Sequence, residues 1–358
     1  MQAPKPKARS NACQQSVCVT MHRATPVTPV TMWKPPERIK HEVTCGPWPC
    51  AVQAGEARLF QPVSLGPLAL ERRTWVPAMV PWRASDDGLV TNDVVDWYAR
   101  LARGKPGALV IEATGIRDIP SGPLLRIGHD RYIPGLTRLT EAVNKASEGH
   151  TRLLIQLIDF LAIKRRPSRE QYLQRFLRIN ERHRRALHQL HGGVIDMDED
   201  SARTQLLALN DATLAKVLTA REFEAMSHGF RERVTDEDVP HIRELPRALP
   251  TLFADAAVRA QHAGFDGIEL HYAHAYTMAS FLSRLNTRKD GFGGPREARV
   301  QLPLRVFQAV RDAVGKDFCC GCRMLSEDCV EDGSDVADAT YFASAFARAG
   351  MDFLSFSR

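Results

Sequence analysis

Three hydrogen-bonding side chains, His271, His274 and Tyr276, fall within six residues directly after the apolar run Phe265–Leu270. Imidazole nitrogens can donate to or accept from an oxygen, and a phenol can supply a proton. The run reads as a short strand that follows a helix ending at Gly264. His271 then stands at the strand's carboxyl end, with His274 and Tyr276 on the turn beyond it. In an α/β barrel the loops after the strands form the working face. Two readings are open at this point: a reactive site, or polar groups satisfied at a helix start. Further groups stand at the ends of other apolar runs: Ala78 and Met79, Ala113, Gln156, and Arg323. Small apolar residues suit a flat aromatic ligand. Gln156 can donate and accept toward an amide edge, and Arg323 places a permanent cation beside it.

These groups need a scaffold, and the hydrophobic pattern predicts one. Leu59-Phe60 and Val63–Leu68 suggest a small hairpin or cap before the first main strand. Strands are expected over Thr74–Val80, Ala108–Ala113, Arg152–Leu157, Asp266–His271, Asp317–Arg323 and Asp352–Phe356. Between them lie a helix capped by Asn92 or Asp93 and helices over Ile133–Ser147, Leu252–Ala263, Arg299–Val314 and Asp335–Ala349. Continuous apolar strands alternating with helices predict a parallel sheet buried on both faces, of the (β/α)8 TIM-barrel type, with about six βα units present. A helical insertion follows the third strand. It contains an amphipathic helix over Pro167–Leu190, with Arg175, Arg178, Arg182, Arg184 and Arg185 on its polar face, and a second helical block over Ala202–Met226. Such an arginine row is a solvated face by default, with a phosphate-bearing substrate as the alternative. Four segments result. A basic extension of disordered character (1–55) precedes a barrel segment with the first three strands (56–162). The insertion (163–250) separates it from a barrel segment with the last three (251–358).

Composition bounds the rest. Among the 358 residues, 44% are hydrophobic and 25% charged, as in ordinary globular proteins. No apolar run is long enough to cross a bilayer, and the basic N-terminus has no apolar secretory core. A net charge of +6 with scattered arginines permits an anionic ligand without arguing for nucleic acid. The eight cysteines read as reduced thiols of a cytoplasmic protein. Cys13/Cys18 and Cys45/Cys50 have a spacing unlike zinc sites, and alternation puts Cys320 and Cys322 on one strand face with Cys319 on the other. No metal is expected.

The segments Val76–Met79, Ile111–Ala113, Ile155–Leu157, Gly264–Tyr276 and Phe281–Gly294 resemble the Old Yellow Enzyme family, also called NADH:flavin oxidoreductases. The resemblance runs from about Leu59 onward. It implies FMN as cofactor, with Ala78, Met79, Ala113, Gln156 and Arg323 lining the ring, and NADH or NADPH as reductant. It implies that His271 and His274 hold the oxygen of an enone-like or acyl-thioester substrate, and that Tyr276 donates a proton. The expected partner is a small-molecule substrate, with no nucleic acid or membrane; a homo-oligomer is a possible assembly. Two departures stand out. The family's His after the Gln-Leu strand is replaced by Ile158-Asp159-Phe160-Leu161, with Asp159 as a candidate substitute contact. The last two βα units, which in the family carry the amides around the flavin phosphate, are expected to be missing. An inactive truncated fragment and a non-catalytic interaction module are therefore the alternatives to an active enzyme.

Overall fold

The computed structural model describes residues 47, 49–164, 166–192 and 197–358. Cys13, Cys18 and Cys45, and nearly all of the basic extension, lie outside them. After a short helix (Ala51–Glu56) and a 3-10 turn (Arg58–Phe60), the described chain forms an antiparallel hairpin, β1 (Val63–Leu65) and β2 (Leu68–Leu70), turning at Gly66 with φ +54°. Then come β3 (Trp75–Val76), β4 (Ala108–Gly115) and β5 (Arg152–Ile158). A two-stranded antiparallel ribbon follows, β6 (Ile163–Lys164) with β7 (Phe230–Arg231). The chain ends on β8 (Gly267–Tyr272), β9 (Cys319–Leu325) and β10 (Leu354–Ser357). The main sheet has the order β10-β9-β8-β5-β4-β3, and every pairing is parallel. These are six strands of the TIM-barrel architecture, joined by crossover helices Asn92–Ala102, Ile133–Ser147, Leu245–His262, Gln301–Val314 and Val336–Ala349.

Period-two alternation divides each strand between two environments. Leu109, Ile111, Leu153, Ile155, Ile268, Leu270, Cys320 and Cys322 pack under the helices in the main core. Ala108, Val110, Leu154 and Cys319 face the other way and pack with Leu68 and Leu70 of the hairpin. The hairpin therefore floors the concave side of the sheet. Gly267 and Gly321 are dictated by proximity. A Cβ on Gly267 would lie 2.5 Å from the Cys319 carbonyl oxygen, and one on Gly321 would lie 2.4 Å from that of Phe353.

One irregularity matters for the site. The β4–β5 register slips between Ile111 and Ala113. This bulge turns Glu112 out of the alternation. Its carboxylate accepts from the Tyr98 hydroxyl (3.2 Å) and the Leu125 N–H (3.2 Å), and its own N–H donates to the Tyr98 oxygen (2.9 Å). Ala113 is thereby set directly opposite Gln156.

The structure redraws several expected elements. The first strand shrinks to Trp75–Val76. The cap of the first crossover helix is Thr91, whose hydroxyl accepts from the Val94 N–H, and not Asn92 or Asp93. The expected helix over Pro167–Leu190 is broken: a short turn and a π-helical segment (Tyr172–Phe176) precede Glu181–His191. Asn180 caps the latter by accepting from His183 N–H, a local stop and restart signal. The second block is three helices, Glu199–Ala208, Asp211–Val217 and Ala220–His228, each begun by its own polar cap. These insertion helices share a separate core of Leu173, Leu187, Leu206, Leu214 and Met226. Val234, Ile242, Leu245 and Leu249 belong instead to the main core, so the helix before β8 begins at Leu245, seven residues ahead of the expected Leu252.

Candidate active site

Glu269 occupies the middle of β8 with its side chain wholly buried. In a parallel sheet, residues at matching register stand side by side, so Gln156 of β5 flanks it. Gln156 Nε2 donates to Glu269 Oε1 at 2.6 Å. On the other side Arg323 Nε lies 3.5 Å from the same oxygen, an ion-pair distance without hydrogen-bond geometry. Burial pushes the Glu269 carboxyl upward, while Arg323 and Gln156 pull it back. Among the described residues, two buried polar atoms of this row find no hydrogen-bond partner, Glu269 Oε2 and Arg323 Nε. The protein alone leaves that polar demand unmet, and a ligand edge rich in donors and acceptors fits it.

One register step further toward the carboxyl ends, His271 pairs with Arg323 across β8 and β9. His271 is 3% exposed. Burial, then the neighbouring His274, push its pKa down to about 3. His274 is pushed down as well, by burial and by Arg323. Both imidazoles are therefore neutral at pH 7, each with one N–H. The network assigns which nitrogen carries it. The Ala273 N–H points at His271 Nδ1 (3.5 Å), leaving the proton on Nε2, which donates to His274 Nδ1 at 3.2 Å. His274 then holds its proton on Nε2, facing Ser357 Oγ of β10 at 2.8 Å.

The turn carrying this pair is backbone-strained. His274 and Ala275 both have φ +56°, a left-handed conformation that costs a non-glycine residue about 1–3 kcal/mol. Outside contacts hold it. The Ala275 carbonyl accepts from Arg231 Nη2 at 2.8 Å, and the Thr277 hydroxyl donates to the Asp159 carbonyl at 3.1 Å. Tyr276 meets His271 edge-on (centroids 5.4 Å) and stands perpendicular to Phe160 (5.2 Å). It also packs on the small apolar group formed by Ala113, Leu124, Ile158 and Phe160.

The structure thus gathers Ala113, Gln156, His271, His274, Tyr276 and Arg323 at one end of the sheet. Ala78 packs against the cluster that Val110 and Leu154 share with Leu68 and Leu70 of the hairpin. Met79 is 52% exposed and stands outside the apolar group around Tyr276. Asp159, the candidate substitute contact, is committed internally: Arg117 clamps it through Nε (2.6 Å) and Nη2 (2.9 Å). Glu269 and Ser357 are the site groups absent from the sequence-derived set. Glu269 carried a signal, since it lies two residues before His271 in a strand and so on the same face. Ser357 carried none, being 83 residues from its partner His274.

Burial pushes the Cys319 thiol up to about 12 and those of Cys320 and Cys322 higher still, so the three are protonated at neutral pH. Among the described residues no helix is long and apolar enough to cross a membrane.

Comparison with known proteins agrees with this architecture. The chain is similar to the NADH oxidase of Thermoanaerobacter brockii, 27% identical over 304 residues; the match covers 84% of this chain and 39% of that protein. It is 27% identical over 306 residues to an NADPH dehydrogenase of Bacillus cytotoxicus, covering 84% of this chain and 71% of the relative. The chain therefore spans about two fifths of the length of the first relative and most of the second. The crystal structure of Old Yellow Enzyme from Pichia sp. AKU4542 superimposes with a TM-score of 0.56 at 21% identity, covering 84% of this chain and 71% of that one. The family model for the NADH:flavin oxidoreductase / NADH oxidase family matches residues 178–358. With half of its length matched by that model and its sheet matching the architecture, the chain belongs to the NADH:flavin oxidoreductase / NADH oxidase family of enzymes.

Proposed function

We propose that this chain binds FMN on the concave end of its sheet and acts as an NAD(P)H-dependent oxidoreductase on an activated alkene, an enone or a related acyl thioester. The observation that carries this reading is the row Gln156–Glu269–Arg323 beneath the His271–His274 pair. It offers amide, carboxylate and guanidinium groups in line, two of them with unmet hydrogen-bonding capacity. FMN, when bound, would supply the hydride chemistry linking NADH or NADPH to the acceptor. Ala78, Ala113, Gln156 and Arg323 would hold the ring, with Met79 at its margin. Arg323 is a permanent cation and would favour an anionic ring edge.

The remaining chemistry belongs to side chains. His271 and His274 would turn their Nε2 protons from their present acceptors, His274 Nδ1 and Ser357 Oγ, to one substrate oxygen. Because both rings are neutral, they act as hydrogen-bond donors and not as acids. Such bonds strengthen as negative charge builds on the oxygen. Tyr276, edge-on to His271, would deliver the proton. Phe160 and Ala113 keep water from its apolar side.

The test is reconstitution. Purified chain should quench FMN fluorescence saturably, and the bound flavin should bleach anaerobically with NADH or NADPH and recolour with 2-cyclohexenone. Tyr276→Phe should slow recolouring at least tenfold and leave bleaching unchanged. Absence of FMN binding, or equal recolouring by the variant, would refute the assignment.

A further inference from the structure

The arginine row of the insertion does not behave as a row. Arg182 donates to the Val217 carbonyl, Arg184 to the Met197 carbonyl, and Arg185 pairs with Glu181. Arg175 lies over the Phe176 ring, 5.9 Å from its centroid, and Arg178 has no such partner among the described residues. It stands with Lys164 at a cleft of about 510 Å³ between the β6–β7 ribbon and the insertion helices. That volume is within the range of roughly 300–1,000 Å³ typical of small-ligand sites. The walls are apolar and aromatic: Tyr172, Phe176, Leu177 and Phe230. Cations rim them. Lys164 Nζ sits 5.6 Å from the Phe230 ring centroid, and the Arg221 guanidinium 5.5 Å from it.

The distribution of charge gives the cleft a sign. Its carboxylate, Glu222, is already satisfied by buried His183 (3.1 Å), by the Thr219 N–H (2.8 Å) and by the Thr219 hydroxyl (2.9 Å). Arg221 is held by Asp236 at 2.9 Å. Among the described residues, neither Lys164 nor Arg178 has a carboxylate or hydrogen-bond partner. The cleft thus carries two uncommitted positive charges over an aromatic floor. None of its lining residues belongs to the His271 site.

We propose that this cleft is a second ligand site, for a small carboxylate with an aromatic body. The ring would stack among Phe176, Phe230 and Tyr172, and the carboxylate would meet Lys164 and Arg178. Neutral aromatics match the floor but leave the cations unanswered. Inorganic anions match the cations but leave the floor wet.

Isothermal titration of the full chain with biphenyl-4-carboxylate and with biphenyl-4-methanol tests this. The acid should bind saturably and at least tenfold more tightly than the alcohol. The double variant Lys164→Gln/Arg178→Gln, altered only at exposed positions, should lose about tenfold in acid affinity and keep the weak alcohol affinity. Phe230→Ala should weaken both. Equal affinity for acid and alcohol, acid binding untouched by the double variant, no saturable binding, or acid displaced competitively by FMN would each overturn the proposal.

Discussion

Acidification should destabilise the protein through His271, and the size of the effect follows from its burial. The ring is 3% exposed and its pKa is pushed down to about 3 from the ordinary 6.5. Its folded pKa lies below the unfolded one, so the unfolded chain binds the extra proton. Stability is full above pH 6.5 and is lost as pH falls toward 3. At pH 5 the unfolded imidazole is protonated over its neutral form about thirtyfold while the folded ring is still neutral, which amounts to about 2 kcal/mol. Urea denaturation of wild type and His271→Gln between pH 8 and pH 5 measures it. Buried carboxyls such as Glu112 slope the other way, so the quantity to read is the difference between the two proteins. Wild type should lose about 2 kcal/mol more than the variant over that interval. Parallel profiles would show that His271 is solvated or charged in the folded state, and the neutral-donor role would fall with it.

Three further outcomes are expected. Arg117→Met leaves the Asp159 carboxylate buried and unpaired, and should cost about 3–5 kcal/mol in chemical denaturation, with Asp159→Asn in the same chain recovering part of it. Glu112, wholly buried, has its pKa raised to about 7; its own contribution to stability should therefore fall as pH rises from about 4.5 to 7, by about 3 kcal/mol in total, read as the amount by which wild type loses ground to Glu112→Gln over that interval. Gly267→Ala drives a methyl to 2.5 Å from the Cys319 carbonyl; a loss of about 1–3 kcal/mol, seen as a lower melting temperature, is expected.

Much of the scaffold was legible because its signals are local. Ile133–Ser147 was bounded to the residue by its 3.6 periodicity, and each buried strand declared itself as an apolar run between polar loops. His271, Gln156 and Arg323 were legible as strand ends, which the parallel fold brings to one side. What escaped is set by relations between distant residues. The bulge that turns Glu112 toward Tyr98 and Ala113 toward Gln156 depends on β5 lying alongside. Asp159 reads as a free carboxylate until Arg117, 42 residues earlier, folds onto it. The helix expected over Pro167–Leu190 looked continuous because its apolar stripe is. At the break, the Asn180 side-chain oxygen accepts from the His183 N–H and starts a new helix.

The bond from Arg231 to the Ala275 carbonyl gives the insertion a mechanical duty. Arg231 ends the ribbon through which the extra helices return to the barrel, and it grips the peptide at the summit of a turn bent the wrong way for two ordinary residues. Trimming the insertion to a short connector would release that grip, and the turn would relax toward right-handed dihedrals. His274 would be carried off its present heading. The added helices and the histidine pair must therefore be inherited, exchanged or engineered as one piece.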